Sequence, residues 1–237
     1  CLSRSPAKDS AMVVAINPND KQYLNHQYNV IPVAQAKNLG IIAMKVFADG
    51  AMYGKESRWS NTPADVIRTV GTPELPSKPL IEYALTTPGI HTAIIGIGQI
   101  SGDPLHCQLV QNYYAAQIQP GEMSKEKRLE LESRTGQVKE GQTNYFQLPR
   151  EGLTPPNNLK VAVKGELEIS WDTAYAGDAP VSRYEVYQND KLIGTVQHKP
   201  QISKDPFLFT TNEKKGNIRV VAVDAAGNKA QSDLFQV

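Results

Sequence analysis

Cysteine is nearly absent: Cys1 and Cys107 are the only two in 237 residues. A disulfide framework and a Cys-rich metal centre are both excluded on that count. Long apolar runs are missing as well. The longest, around residues 94–97, is strand-sized, far short of the ~18 residues of a membrane span, so no transmembrane segment is expected. Excess charge of one sign is also lacking, with 25 Lys and Arg against 24 Asp and Glu. That balance argues against a nucleic-acid binder, which carries a basic excess or stripe. His26, His91, His106 and His198 are scattered without ligand spacing, and no metal is expected on them. What is present suffices for a packed core. Apolar residues make up 40% of the chain and charged residues 21%, outside the disordered range.

The length lies between one large domain and two small ones. Composition shifts over residues 136–156 (GQVKEGQTNYFQLPREGLTPP), a polar stretch with the Gly and Pro of a linker. Residues 1–135 and 157–237 are therefore read as two domains of different class. Two readings of Cys1 stay open: a fragment or processing boundary, and the acylated cysteine of a bacterial lipoprotein after signal removal.

In the first domain, residues 11–17 (AMVVAIN), 41–47 (IIAMKVF) and 92–97 (TAIIGI) are apolar throughout. Between them lie amphipathic stretches at residues 30–39, closed by Gly40 at a C-cap position, and 78–87. Another follows at residues 105–118, with Leu105, Leu109, Tyr113 and Ala116 on one stripe. Uniformly apolar strands alternating with helices predict a parallel sheet. Three such strands cannot close a barrel, so this half either borrows further strands from elsewhere, the preferred reading, or forms an unusually small open sheet. The mixed-charge run at residues 125–132 (KEKRLELE) is expected to be a solvated helix face.

The second domain alternates with the two-residue period of strands. Its runs include LEISW, YEVY, KLIGTV and IRVVAV, with Asn189-Asp190 as a tight hairpin turn. About seven short strands in ~80 residues predict a β-sandwich of immunoglobulin-like type. Without a cysteine pair, its core must rest on Trp171, Tyr184 and inward Val and Ile.

Both domains carry family resemblances. The segments ISW, RYEVYQNDKLIGTV and IRVVAVDAAGN resemble a fibronectin type III domain, with Trp171 as the tryptophan of its second strand. The segments AMVVAINPND, AKNLGIIAMKVFADG and PLIEYALTTPGIHTAIIGIG, followed by the helix holding Val110, Gln111 and Asn112, resemble the C-terminal portion of an aldo/keto reductase. They correspond to strands six to eight of that family's (β/α)8 TIM barrel. The implied fold class is thus a partial α/β barrel followed by an all-β sandwich.

The aldo/keto reductase resemblance implies NADP(H)- or NAD(H)-dependent reduction of a small-molecule carbonyl substrate, provided the missing barrel half supplies the Asp, Tyr, Lys and His of the family's catalytic set. No catalytic residue is therefore assigned to this chain. The resemblance places cofactor contacts at Met44, Lys45, Phe47, Gly96, Gly98, Gln108 and Asn112. Met44 stands where the family stacks an aromatic on nicotinamide. Lys45 is positioned to meet a pyrophosphate, and the Gly96–Ile97–Gly98 turn to cradle phosphate with backbone N–H groups. Asn112 matches an adenine contact. Gln108 replaces the arginine that clamps a 2′-phosphate, and Val13 replaces the glutamine that holds the carboxamide. Trp59 is read either as a substrate-facing aromatic or as a packing residue. Tyr175 and Tyr187 are candidate contacts to sugar or protein, but without a clustered aromatic platform a structural role is the preferred reading. Bacterial proteins with fibronectin-like modules are commonly extracytoplasmic, so a periplasmic or cell-surface location is implied. The competing expectation is a non-catalytic binding protein built on a degenerate barrel and the sandwich.

Overall fold

The computed structural model describes residues 10–23, 25–56, 61–65, 67, 70–98, 100–141, 143 and 152–237. Cys1, Trp59 and most of residues 142–151 lie outside them. The chain forms two compact units. One holds described residues 10–27 and 38–143, and the other holds 28–37 and 152–237. Among the described residues no helix is long and apolar enough to cross a membrane.

The chain runs β1 (Ala11–Ala15), α1 (Asp20–Tyr23), α2 (His26–Asn29), α3 (Ile31–Ala36), β2 (Gly40–Met44), α4 (Ser77–Leu85), β3 (Thr92–Ala93), α5 (Gln108–Ala115) and α6 (Lys125–Gln137). The three strands form one parallel sheet in the order β1-β2-β3. Ile41 and Ala43 are buried in the middle strand, while Val13 and Ile94 stand half-exposed on the flanking segments. Leu80, Ile81, Tyr83 and Ala84 of α4 are fully buried.

Several expectations need correction. Gly40 does not cap a helix. It opens β2 opposite Ala11, and Asn38 takes the left-handed conformation (φ 55°) instead. The third strand stops at Ala93 rather than Ile97. Its partner β2 ends at Met44, where Lys45 turns left-handed (φ 56°), so the ladder's last bond among the described residues runs from the Ile94 N–H to the Ala43 carbonyl at 2.8 Å. The stripe of Leu105, Leu109 and Tyr113 does not face a core: these residues are 79%, 49% and 66% exposed. Asp103 holds its own turn by accepting from Leu105 N and His106 Nδ1, which delays the helix to Gln108 and rotates Cys107, Gln108 and Ala115 inward.

Residues 125–132 are not wholly solvated either. The helix they begin runs to Gln137, with a 3-10 turn over Val138–Gly141, so the first part of the expected linker is helical. Ser124 caps it by accepting from Lys127 N. Glu132 is buried and accepts both hydrogen bonds of Lys21 Nζ at 2.9 Å, and the Tyr83 hydroxyl donates to it at 2.7 Å. Arg128 lies over the Tyr83 ring, 3.9 Å from its centroid. Its guanidinium also donates to Tyr83 O and to the Thr86 and Thr87 hydroxyls.

The second unit is antiparallel. β4 (Asn157–Lys164), β5 (Glu166–Asp172) and β8 (Phe207–Thr211) form one sheet, ordered β4-β5-β8. β6 (Val181–Gln188), β7 (Lys191–Gln197), β9 (Asn217–Asp224) and β10 (Lys229–Gln231) form the other, ordered β10-β9-β6-β7, with β11 (Phe235–Gln236) on β9. Inward residues of both sheets share one core. Trp171 meets Tyr184 edge-on at 5.5 Å and stacks on Phe207 at 6.1 Å. Asn189 and Asp190 are both left-handed, as the tight hairpin between β6 and β7 requires. Tyr28 packs against this core, and the Asn29 side chain donates to Ala176 O and accepts from Ala176 N.

Gly194 marks the register break between β6 and β7, and a Cβ there would collide with the Phe209 ring. Gly194→Ala is expected to lower sandwich stability by about 1–3 kcal/mol, read as a reduced urea midpoint. Adding Phe209→Leu should recover part of the loss. An unchanged midpoint in the single variant would show that the Phe209 ring moves aside.

Candidate functional site

Strand ends of a parallel sheet project their last residues and the following loops into one region. Here the chain after β2 and the chain after β3 enclose a cavity of about 370 Å³. Met44, Lys45, Phe47, Gly96 and Gly98 all line it, together with Val46, Asp49, Gly50 and Ile94. Five of the seven assigned cofactor positions therefore converge. Gln108 and Asn112 do not belong to this lining. On α5, Gln108 is buried and its Nε2 donates to Asn112 Oδ1 at 2.5 Å, so the two side chains satisfy each other. Val13 pairs with Ile42 in the sheet and takes no part in the cavity lining.

Around the cavity the backbone is bent into conformations that ordinary residues rarely adopt. Lys45 (φ 56°), Ala48 (φ 49°) and Asp49 (φ 58°) are all left-handed without being glycine. Such residues persist only where their surroundings hold them, and they concentrate at functional sites. The holding groups are visible. Asn17 Nδ2 donates to Lys45 O at 3.0 Å and to Asp20 Oδ2 at 2.8 Å. Asn17 Oδ1 accepts from the backbone of Asn19 and Asp20. Asp49 bridges two lysines, at 3.0 Å from Lys45 and 2.7 Å from Lys55. Burial opposes the charge on Asp49, but the hydrogen bonds from Lys55 and then Lys45 prevail and hold its pKa below the usual carboxylate value.

The sequence places Asn17 at a strand end on the site's side of the sheet without giving it a role, and it does not single out Asp20, Asp49, Lys55 or Tyr53. Asn17-Pro18-Asn19-Asp20 and Ala48-Asp49-Gly50 read as strand stops. Their Asn and Asp content signalled turns, with nothing to show that the same side chains would order the site. Tyr53 lies near Phe47, with ring centroids 5.9 Å apart. Its hydroxyl is buried without a hydrogen-bond partner among the described residues, and burial pushes its pKa well above the ordinary value. A proton donor in carbonyl reduction needs its pKa lowered by a neighbouring cation, and Tyr53 is placed in the opposite way. Tyr187 is also engaged internally, donating to Glu185 Oε2 at 3.0 Å and stacking with Arg219.

Asp20 is almost fully buried, and one of its carboxylate oxygens has no hydrogen-bond partner among the described residues. Burial raises its pKa to about 6, against the Asn17 hydrogen bond and the charge of Lys45. The folded unit therefore binds a proton more tightly than the unfolded chain does. Stability should be greatest below the ordinary value of 3.8 and fall as pH rises through about 6, by about 3 kcal/mol over the whole window. Asp20→Asn should remove this dependence and raise the urea midpoint more at pH 8 than at pH 4. An equal gain at both values would contradict the assignment.

No family model and no curated protein matches this sequence. Among solved structures, the chain is similar to the spore cortex lytic enzyme SleM of Clostridium perfringens, at 15% identity and a TM-score of 0.28. The likeness covers 38% of this chain and 32% of that one, and at that score it carries no argument about fold or chemistry.

Proposed function

We propose that the parallel unit supplies the nucleotide side of an NAD(P)H-dependent carbonyl reductase of the aldo/keto type, completed by further barrel strands. One observation supports this reading: Met44, Lys45, Phe47, Gly96 and Gly98 line a single cavity. Met44 and Phe47 offer apolar surface to a nicotinamide ring, and Lys45 offers a cation to a phosphate in exchange for Asp49. The fit is good at this end only, since Gln108 and Asn112 are turned to each other. A bound nucleotide supplies the hydride. In this reading this chain's residues bind and orient it, and the proton comes from the completing strands. The antiparallel unit is read as a fibronectin type III-like module, and its association with extracytoplasmic bacterial enzymes is the ground for proposing a periplasmic or surface location.

The second reading, a non-catalytic binding protein, draws support from the Asp49–Lys45–Lys55 ion pairs and from the unactivated Tyr53. Fluorescence titration of the full chain with NADPH and NADH separates the two. The reductase reading expects both nucleotides to bind with similar affinity, because a charge-assisted contact to the 2′-phosphate worth about 1.5–3 kcal/mol is absent at Gln108. Its presence would favour NADPH by about ten- to a hundredfold. Lys45→Ala should weaken both nucleotides, and failure of both to bind sinks the reading. The chain by itself is expected not to turn over a simple aldehyde. Turnover lost on Lys45→Ala would show that it holds its own acid.

A further inference from the structure

A second concavity, of about 380 Å³, lies on the antiparallel unit and is lined by Asn157, Asn158, Asp172, Thr173, Tyr175, Gln201 and Lys204. Its volume is at the lower end of the ~300–1,000 Å³ typical of small-ligand pockets. Its chemistry differs from that of the first. The floor is made of planar polar groups, and an aromatic ring stands beside them.

The polar floor is fixed before any ligand arrives. Asp172 accepts from Asn158 Nδ2 on one carboxylate oxygen and from Gln201 Nε2 on the other, each at 2.7 Å. Gln201 Oε1 in turn accepts from Thr173 N, and Asn157 Nδ2 donates to Thr173 O. The hydrogen bonds from Asn158 and then Gln201 keep the Asp172 pKa below the usual value, so the floor retains an ionised acceptor at neutral pH. In this network the amide oxygens of Asn157 and Asn158 are not used as acceptors. Asn158 is held left-handed (φ 52°), where the β4–β5 register breaks.

Tyr175 is presented from a tethered backbone. Its N–H donates to Thr154 Oγ1 at 2.8 Å, and its carbonyl accepts from Thr154 N at 3.0 Å. The residue nevertheless remains 54% exposed. An open aromatic on a fixed backbone has only its own side-chain torsions to order on binding, so the entropy cost is small. A flat apolar face beside fixed amides and a carboxylate is complementary to a pyranose ring, which has an apolar C–H face and a rim of hydroxyls that both donate and accept. An anionic ligand would meet the ionised Asp172, and an apolar peptide would leave the floor unsatisfied.

We propose that this pocket binds a neutral carbohydrate, with the Tyr175 ring under the sugar face and with Asp172, Asn157 and Asn158 taking its hydroxyls. The site is independent of the nucleotide reading, and Lys45→Ala should leave it unaffected. Affinity electrophoresis of the full chain through native gels containing xylan, mannan or mixed-linkage β-glucan, with polygalacturonate run separately as the anionic comparison, tests it. Retardation is expected in at least one gel, lost in Tyr175→Ala and at least tenfold weaker in Asp172→Asn, with the urea midpoint of Tyr175→Ala unchanged. Absence of retardation in all three gels, or retardation that survives Tyr175→Ala, overturns the proposal. So does retardation by polygalacturonate alone that Lys204→Ala abolishes, since that would assign the pocket to an acidic ligand.

Discussion

The parallel unit depends on one buried amide. Asn17 has two donor and two acceptor positions, and the strand ends of β1 and β2 occupy all four. Its N–H groups fix Asp20 and the Lys45 carbonyl, and its oxygen gathers the N–H groups of Asn19 and Asp20. Fixing the Lys45 carbonyl fixes the left-handed turn at Lys45, and that turn directs residues 46–50 around the cavity. An aspartate at this position would keep the acceptor and lose both donors, so the two strand ends would no longer share a tie.

Two buried carboxylates, Glu185 and Asp20, are handled in opposite ways. Glu185 of the sandwich is almost fully buried, yet Lys229, Arg183 and the Tyr187 hydroxyl all reach it. The Lys229 hydrogen bond outweighs burial, and with Arg183 and Tyr187 it holds the pKa at about 2. Its stabilising contribution is complete above the ordinary value of 4.5 and disappears as pH falls through about 2. Asp20 has no comparable set of partners, and its charged form is disfavoured. A fully paired carboxylate serves structure, whereas a half-satisfied one beside a strained cavity is the arrangement found where chemistry or binding sets the requirement.

Local pattern made much of the fold legible. Period-two alternation with Asn189-Asp190 located the β6–β7 hairpin, and the buried Trp171 and Tyr184 stand where the sequence placed them. Uniform apolarity located the parallel strands, because strands buried in such sheets do not alternate. What failed was what depends on partners. The length of β3 is set by where β2 ends, and the orientation of α5 by the Asp103 turn, and neither leaves a trace in periodicity. At the candidate site, Met44, Lys45, Phe47, Gly96 and Gly98 were assigned through the family resemblance, and they share one cavity because they follow the ends of neighbouring strands. Gln108 and Asn112 were correctly placed on one helix, but the hydrogen bond between them could not be read from spacing alone. Asn17 and Asp20 were hidden because a turn-forming Asn looks the same whether it faces water or ties two strands.

The helix α6 carries a wider consequence. Leu131 is its one fully buried apolar side chain, and most of its other described attachments are polar, through Lys21, Tyr83, Arg128, Glu132 and Arg134. Such contacts are geometrically strict and bury little hydrocarbon, so they fail together once one partner shifts. The helix is therefore built as a separate cooperative segment of low local stability. Its amides should exchange with solvent before those of the sheet, and a protease searching for an opening should enter here first.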